Sequence, residues 1–261
     1  MQDLKVAAIQ TSLAWESIGD NLRALGNKIE QISNAPDLII LPEMFSTAFS
    51  MNSRGLAESM DGKAISWMAD QASQSNAVVT GSLIIKEDEK FFNRLIWMRP
   101  DGTHIHYDKR HLFRMMDEDQ HFSPGSQRII VTLNGWKVCP LICYDLRFPV
   151  WSRNDAGYDC LIYVANWPEP RREAWRTLLR ARAHENQTYV VGLNRIGKDF
   201  NGINFAGDSV IVDPKGAVIN ELPNEESILE GSLNYSELHD FREKFPMHLD
   251  ADSFSLDISR D

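Results

Sequence analysis

The order of apolar segments along this sequence predicts an α/β fold. Short, wholly apolar segments such as residues 38–41 alternate with longer ones in which apolar residues recur at helical spacing. Strands that are apolar at every position are typical of a sheet covered on both faces. With 261 residues, 43% of them hydrophobic, the chain can enclose a large core. We therefore predict one α/β domain over residues 1–261, with residues 245–261 as an acidic tail.

Strands and amphipathic helices alternate in the N-terminal half. Ser17 or Asp20 can cap the first helix, and Pro42 ends the second strand. Pro100-Asp-Gly102 is a turn signal that favours a hairpin between the strands on either side. The predicted elements of this half are strands at residues 4–10, 37–41, 77–85, 91–98 and 103–107, and helices at residues 22–32 and 63–75.

The chain from residue 114 onward begins with a long segment that has no apolar period. We predict an irregular loop at residues 114–125, and long loops in compact domains are often functional. A turn at Asp213-Pro-Lys-Gly216 separates the last two strands. The predicted elements here are strands at residues 138–142, 158–164, 188–194, 209–212 and 217–221, and a helix at residues 171–186.

Charge and cysteine usage exclude several classes of function. With 27 Lys and Arg against 37 Asp and Glu, the net charge is −10, which disfavours nucleic acid and anionic membranes as partners. No apolar run approaches 18 residues and no leader pattern is present, so we expect a cytoplasmic protein. Three cysteines, with no paired zinc-ligand spacing among Cys and His, predict no disulfide framework, no metal and no cofactor.

Cys143 stands where a predicted strand meets a possible helix start. A thiol at such a corner projects from a rigid strand, and the free N–H groups of the next element point towards its target. This is an arrangement suited to a nucleophile. A structural alternative stays open, because cysteine is also among the residues most often buried in a core.

Glu43 and Lys109 also lie just beyond predicted strands. Open α/β sheets place their sites at the carboxyl ends of strands, so the three side chains can meet as a base, a cation and a thiol. A free thiol is mostly protonated at neutral pH, so a carboxylate must take its proton or a cation must lower its pKa. Taken singly, the glutamate and the lysine could equally be solvated surface charges.

Three local segments, taken together, resemble the signatures of the carbon–nitrogen hydrolase (nitrilase) superfamily. They are Leu-Pro-Glu43, Tyr-Asp-Lys109-Arg-His-Leu-Phe and Ile-Cys143-Tyr-Asp-Leu-Arg-Phe-Pro, in the family's order and spacing. The likeness continues through Asn166-Trp-Pro and Gly207-Asp-Ser209, over nearly the whole chain. Three ordered motifs are far more specific than any single one.

This resemblance implies a four-layer α-β-β-α sandwich and a set of catalytic roles. Cys143 would be the nucleophile, Glu43 the general base and Lys109 the stabiliser of the tetrahedral intermediate, with the Tyr144 N–H as a second oxyanion donor. The family carries a second glutamate ahead of a Ser-Pro-Gly-like turn, which implies Glu118, five residues before Ser123-Pro-Gly125. Asp117 and Asp119 flank it, so a shift of one residue would change this assignment.

The sequence after the nucleophile is similar to the amidase side of the superfamily, closest to omega-amidases. These enzymes hydrolyse the terminal amide of 2-oxoglutaramate and 2-oxosuccinamate to the acid plus ammonia. Such a small-molecule substrate is anionic, so Arg54, Arg147 and Arg195 are candidates to bind its carboxylate, with Trp167 and Tyr144 as further substrate-binding residues. Each arginine could instead form an internal ion pair. A carbamoylase, another amidase or a catalytically silent binding protein remain alternatives.

The family resemblance also implies a homodimer. The segment with Phe148, Val150 and Trp151 and the helix with Trp175 and Leu179 are expected at the interface, because aromatic residues are enriched there. Seven tryptophans in this chain are consistent with that expectation, although all seven could be internal.

Overall fold

The computed structural model describes residues 1–256. The tail predicted for residues 245–261 is therefore described as far as residue 256, and its last five residues lie outside the described part. The strands are β1 (Leu4–Gln10), β2 (Leu38–Ile40), β3 (Val78–Glu87), β4 (Lys90–Met98), β5 (His104–Asp108), β6 (Val131–Leu133), β7 (Trp136–Ile142), β8 (Cys160–Ala165), β9 (Tyr189–Asn194), β10 (Ile196–Lys198), β11 (Asn204–Ala206), β12 (Val210–Val212), β13 (Val218–Glu221) and β14 (Ser227–Leu233).

Helices connect these strands and cover the sheets. The α-helices are α1 (Ile18–Ile29), α2 (Ser53–Leu56), α3 (Lys63–Ser75), α4 (Glu118–His121), α5 (Arg172–Asn186) and α6 (Tyr235–Lys244). Short 3-10 helices occupy Arg114–Met116, Cys143–Arg147, Glu169–Arg171 and Met247–Asp250.

Two six-stranded sheets form the middle of the molecule. The first has the order β14-β1-β2-β3-β4-β5 and the second β13-β12-β9-β8-β7-β6. In the first sheet β1, β2 and β3 are parallel, and in the second β7, β8 and β9 are parallel. The candidate site residues Glu43, Lys109 and Cys143 follow the carboxyl ends of β2, the edge strand β5 and β7.

The alternation of side chains along the strands builds four layers. On β2, Ile39 packs with the residues of α1 and α3, whereas its neighbour Ile40 packs into the core between the two sheets. On β4, Ile96 likewise packs with the residues of α1 and α3, and Trp97 packs into the core between the two sheets. Successive strand residues face opposite sides, so a sheet covered on both faces needs apolar residues at every position. The predicted four-layer α-β-β-α sandwich is confirmed.

Helix α5 covers the outer face of the second sheet. Trp175, Leu179 and Ala183 are fully buried there, and a Cβ at Gly192 of β9 would lie 2.5 Å from a methyl group of Leu179. Only glycine allows this close approach of helix and sheet. Trp175 and Leu179 are therefore buried inside their own chain, and their side chains cannot be contacts of a dimer interface; that the helix around them meets a second copy stays a prediction.

Most predicted elements match the structure, but residues 114–125 do not. This segment was expected to be irregular, yet it contains a 3-10 helix and then α4. The prediction failed because two short turns separated by Asp117, at a left-handed φ of 57°, leave no apolar period to detect. Strands β6 and β14 and helix α6 were also not predicted.

Candidate active site

Cys143 lies at a sharp corner directly after β7. Its φ is +40°, a left-handed conformation that costs a non-glycine residue roughly 1–2 kcal/mol. The residue opens the 3-10 helix Cys143–Arg147 and is 8% exposed. The helix predicted to begin here is therefore only a 3-10 helix of five residues. The corner points the thiol away from the end of the strand and towards the neighbouring acidic and basic side chains.

Lys109 bridges two buried carboxylates. Its Nζ lies 2.9 Å from Glu43 Oε1 and 2.9 and 2.8 Å from Glu118 Oε1 and Oε2. The lysine is 1% exposed and both glutamates are 0% exposed. Ion pairs without access to water interact much more strongly than exposed ones, so the ammonium is held in one place.

Two asparagines fix the carboxylates from the other side. Asn93 Nδ2 donates to Glu43 Oε1 at 2.9 Å and to Glu118 Oε1 at 3.2 Å. The Asn166 backbone N–H donates to Glu43 Oε2 at 2.8 Å, and its Nδ2 donates to the Glu43 carbonyl oxygen at 2.7 Å. Sequence reasoning missed Asn93, because a polar residue in the middle of a strand gives no signal of its own. Asn166 was recognised only as part of a motif.

Glu118 and its acidic neighbours Asp117 and Asp119 have different surroundings. Glu118 accepts from the Phe113 N–H at 2.6 Å as well as from Lys109. Asp117 is exposed, and Asp119 pairs with Arg114 at 2.9 Å. Of these three acidic residues, Glu118 is the one that the structure brings to Lys109.

The Ser-Pro-Gly turn holds this loop against the lysine. The Gly125 N–H donates to the Lys109 carbonyl oxygen at 2.9 Å. A Cβ at Gly125 would lie 2.1 Å from the Asp108 carbonyl oxygen. No other residue fits so close to the backbone, so the glycine is what allows the two segments to meet.

Burial controls the protonation of this cluster. It raises the pKa of the Cys143 thiol well above its ordinary value, the charge of Glu43 raises it further, and Lys109 only partly opposes them. Burial alone would lower the pKa of Lys109, but the charges of Glu118 and Glu43 outweigh it and raise that pKa. Burial likewise raises the pKa of Glu118 against the pull of Lys109. Burial and the charge of Glu43 therefore favour the thiol form of Cys143, while the two carboxylates favour the ammonium form of Lys109.

A cavity of about 180 Å³ opens beside the thiol. Cys143, Lys109, Tyr144 and Asn166 line its polar part. Its apolar walls are Phe49, Phe113, Met116, Trp167, Ile203 and Phe205. A volume of this size suits a molecule of only a few carbon atoms.

Two arginines line the same cavity and lie over aromatic rings. The Arg147 guanidinium is 5.0 Å from the centre of the Trp167 ring, and that of Arg171 is 5.1 Å from Phe113. Within residues 1–256, neither forms an ion pair with a carboxylate. Both can therefore bind an anion. Arg171 was missed because it follows the Asn166-Trp-Pro motif in a turn, at no recognisable spacing.

The other two predicted arginines lie outside the cavity lining. Arg54 is exposed on α2. Arg195 is fully buried, where it donates to the carbonyl oxygens of Ile196 and Leu13 and lies 4.8 Å from the centre of the Phe205 ring. Burial lowers its pKa to about 10. The structure therefore brings Arg147 to the thiol, but not Arg54 or Arg195.

The family is decided by comparison with known proteins. Residues 5–243 match the carbon–nitrogen hydrolase family model. The chain belongs to the carbon–nitrogen hydrolase family. It is a hydrolase that acts on carbon–nitrogen bonds, as its three signature segments predicted.

The relatives confirm the predicted likeness to omega-amidases. The chain is 44% identical over 257 residues to the omega-amidase YafV of Escherichia coli K12, covering 98% of this chain and 100% of that protein. It is 34% identical over 247 residues to the 2-oxoglutaramate amidase of Bacillus subtilis, covering 93% and 95%. A Xanthomonas campestris superfamily protein, solved with an arsenic adduct in its active site, superimposes with a TM-score of 0.96 at 40% identity, covering 98% and 100%.

Residues 1–256 contain neither a candidate metal site nor a candidate membrane span. No cluster of three or more His, Cys, Asp or Glu side chains suited to a metal ion is found in that range. No described helix combines the length and the apolar character needed to cross a bilayer.

Proposed function

We propose that this protein is an omega-amidase that hydrolyses the terminal amide of a small 2-oxo dicarboxylate monoamide, 2-oxoglutaramate or 2-oxosuccinamate. The products are the 2-oxo dicarboxylate and ammonia. The main support is one juxtaposition: the Lys109 ammonium lies between two buried carboxylates beside Cys143, and the guanidinium of Arg147 lines the same cavity. The names of the relatives agree with this substrate class.

In the proposed acylation step, the Cys143 sulfur attacks the amide carbon while Glu43 takes the thiol proton. Concerted removal is needed because the pKa of the thiol is raised. The Lys109 ammonium and the Tyr144 backbone N–H stabilise the oxyanion. Glu43 then gives the proton to the amide nitrogen, ammonia leaves, and a thioester to Cys143 remains.

In the proposed deacylation step, Glu43 takes a proton from water as the water oxygen attacks the thioester carbon. The second tetrahedral intermediate collapses, the carboxylic acid leaves, and the proton returns from Glu43 to the sulfur. Glu118 contacts both Lys109 and the Phe113 N–H. Its proposed role is to hold the ammonium in line with both oxyanions, since a single carboxylate would leave the lysine free to rotate.

Arg147 is the proposed partner of the substrate carboxylate. A guanidinium binds a carboxylate through two parallel hydrogen bonds, and this one already lies over Trp167, which limits its movement. Arg171, on another wall of the cavity, is the second choice. An aliphatic monoamide of four or five carbons is of a size that a cavity of this volume can hold, and Cys143 and both arginines line that cavity.

A panel of amides tests the substrate class. Ammonia release is measured with 2-oxoglutaramate, 2-oxosuccinamate, glutamine, asparagine, N-carbamoyl amino acids and simple nitriles. The proposal expects kcat/KM to be at least about a hundredfold higher for the two 2-oxo monoamides than for glutamine or asparagine. Faster release from the N-carbamoyl compounds would make the enzyme a carbamoylase, and release from none would favour a silent member.

We also propose that the chain forms a homodimer through the segment after Cys143. Val150 is 50% exposed and the neighbouring Phe148 is half-buried, whereas Trp151 is buried within the chain. An exposed valine next to an aromatic ring is the kind of surface that a second copy can cover. Light scattering should give about twice the chain mass of 29.8 kDa, and Val150→Glu should return it to the monomer mass. A monomeric wild-type protein at micromolar concentration would end this proposal.

A cytoplasmic location is proposed as well. Cys139, Cys143 and Cys160 are all free thiols and all buried, which is usual in a reducing compartment. Cell fractionation with antibody detection tests it, and recovery from the periplasmic or secreted fraction would contradict it.

A further inference from the structure

The buried carboxylate of Asp145 joins the two signature segments that carry Lys109 and Cys143. It lies two residues after the nucleophile, is 0% exposed, and takes no part in the proposed reaction. Its Oδ2 accepts from the Ile142 N–H at 3.0 Å and from the Tyr107 hydroxyl at 2.7 Å. Its Oδ1 accepts from the His111 N–H at 3.0 Å and contacts His111 Nδ1 at 2.8 Å.

These partners flank the reacting residues on both segments. Ile142 directly precedes Cys143, while Tyr107 and His111 stand two residues before and two residues after Lys109. One carboxylate therefore fixes the backbone next to the thiol through the Ile142 N–H. It also contacts the lysine segment twice, through the Tyr107 hydroxyl before Lys109 and the His111 backbone N–H after it. With Nδ1 of His111 as an N–H, all four partners are donors, which matches the acceptor-only character of a carboxylate.

Further contacts make this arrangement rigid. The Tyr107 oxygen also accepts from the Arg110 N–H at 3.2 Å and from Trp151 Nε1 at 3.0 Å. The His111 ring stacks on Phe148 with 3.7 Å between ring centres and 6° between ring planes. The Asp145 side chain, held by these contacts, has one orientation. It therefore keeps the segment that carries Lys109 at a fixed distance from the segment that carries Cys143.

We infer that Asp145 is a positioning residue, which sets the distance between the Lys109 ammonium and the Cys143 sulfur. The left-handed backbone at Cys143 is unfavourable by itself, and the bond from the Ile142 N–H to Asp145 closes the turn that holds it. Without Asp145 the thiol and the oxyanion donor are positioned independently. The inference rests on the proposed roles of Lys109 and Cys143, but not on which amide is the substrate.

Asp145→Asn is the decisive variant because it keeps the size of the side chain. Either orientation of the new amide points an N–H group at a backbone N–H, that of Ile142 or that of His111. We expect kcat to fall about a hundredfold, the scale of a misplaced reacting group, while KM changes less than about threefold. Ammonia release is measured on whichever amide of the panel the wild type hydrolyses fastest.

Asp159→Asn is the matched control. This carboxylate is also buried, accepts from the Lys137 N–H at 3.0 Å and pairs with Arg242 at 2.8 Å. It precedes β8, at the end of the sheet opposite Cys143. A purely structural effect would lower the melting temperature of both variants and leave kcat near wild type, whereas positioning lowers kcat only in Asp145→Asn.

Tyr107→Phe decides the question if Asp145→Asn does not fold. It removes one donor to Asp145 and keeps the ring, so we expect kcat to fall at least about fivefold with circular dichroism unchanged. A folded Asp145→Asn enzyme with kcat within about threefold of wild type would overturn the inference, as would Tyr107→Phe within about twofold. Neither result would affect the proposed function, which depends instead on the loss of activity in Cys143→Ala.

Discussion

Lys109 donates to both carboxylate oxygens of Glu118, at 2.9 and 2.8 Å, and the two side chains are almost completely excluded from water. A lysine that contacted Glu43 alone could rotate about its long side chain. The second carboxylate restricts it to one position, and this restriction gives the oxyanion a donor that is already in place.

Replacement of Glu118 by glutamine should lower kcat about a hundredfold, because Lys109 loses a charged partner and one acceptor oxygen. Asp119→Asn is the matched control, since Asp119 lies in the same short helix but pairs with exposed Arg114. It should keep kcat within about twofold of wild type. An equal loss of kcat in the two variants would show that activity depends on the structure of the loop and not on the Glu118 carboxylate.

Glu43→Gln should separate hydrolysis from thiol ionisation. Hydrolysis should fall at least about a hundredfold, the scale of losing a general base. The pKa of Cys143 should decrease, because the negative charge of Glu43 raises it in the wild type. The midpoint of iodoacetamide alkylation, followed by mass spectrometry across pH, should therefore move to lower pH. A midpoint that moved to higher pH would mean that Glu43 helps to form the thiolate, contrary to the concerted step proposed above.

Arg147→Gln should affect binding of the substrate carboxylate. KM for 2-oxoglutaramate should rise at least about tenfold, as expected for loss of a charge-assisted pair. The kcat/KM of a neutral short amide such as butyramide should change less than about threefold. Arg54→Gln, on the exposed helix α2, is the control. If Arg171→Gln produced the larger KM effect, the carboxylate would belong on that wall of the cavity.

Glu226 should make the stability of the enzyme depend on acid pH. Burial opposes its ionisation, but hydrogen bonds from Ser12, Lys28 and Thr11 outweigh it and lower the pKa to about 2. A lowered folded pKa adds stability above the unfolded value of about 4.5, and that stability is lost as the pH falls towards 2. The side chain is 45% exposed, so screening by water limits the contribution to at most about 1 kcal/mol.

Glu226→Gln measures this contribution. Its melting temperature should be about 2 to 4 °C below that of the wild type at pH 7, and the difference should close between about pH 4.5 and pH 2. Glu225→Gln, at the neighbouring exposed position, is the matched control. If the difference in melting temperature between Glu226→Gln and the wild type stayed constant across this pH range, the charge of Glu226 would contribute nothing to stability.

Much of the reacting centre could be predicted because it follows strand ends. Glu43, Lys109 and Cys143 each lie just beyond the end of a strand, and strands that run in the same direction bring such positions to one edge. Ordered motifs then added Glu118, which the spacing alone left open between three acidic residues. The structure brings these four side chains together.

The substrate-binding residues were harder to predict for a physical reason. Whether a side chain reaches a cavity depends on the path of the loops, and loop paths leave no periodic pattern in the sequence. Arg54 therefore seemed as suitable as Arg147, although it lies outside the cavity, and Arg171 was missed. Trp175 was misjudged because the sequence does not distinguish an apolar helix face that covers a sheet from one that meets another subunit.

The most direct test of the proposed mechanism is ammonia release from 2-oxoglutaramate by Cys143→Ala, with Cys160→Ala as the control. Both cysteines are buried free thiols, but Cys160 opens β8 at the far end of the sheet from the cavity. We predict that Cys143→Ala loses all measurable activity and keeps the wild-type circular dichroism, because no other group can form the thioester. Cys160→Ala should keep its kcat and lose only some stability. Ammonia release by Cys143→Ala above a few per cent of the wild-type rate would contradict the account.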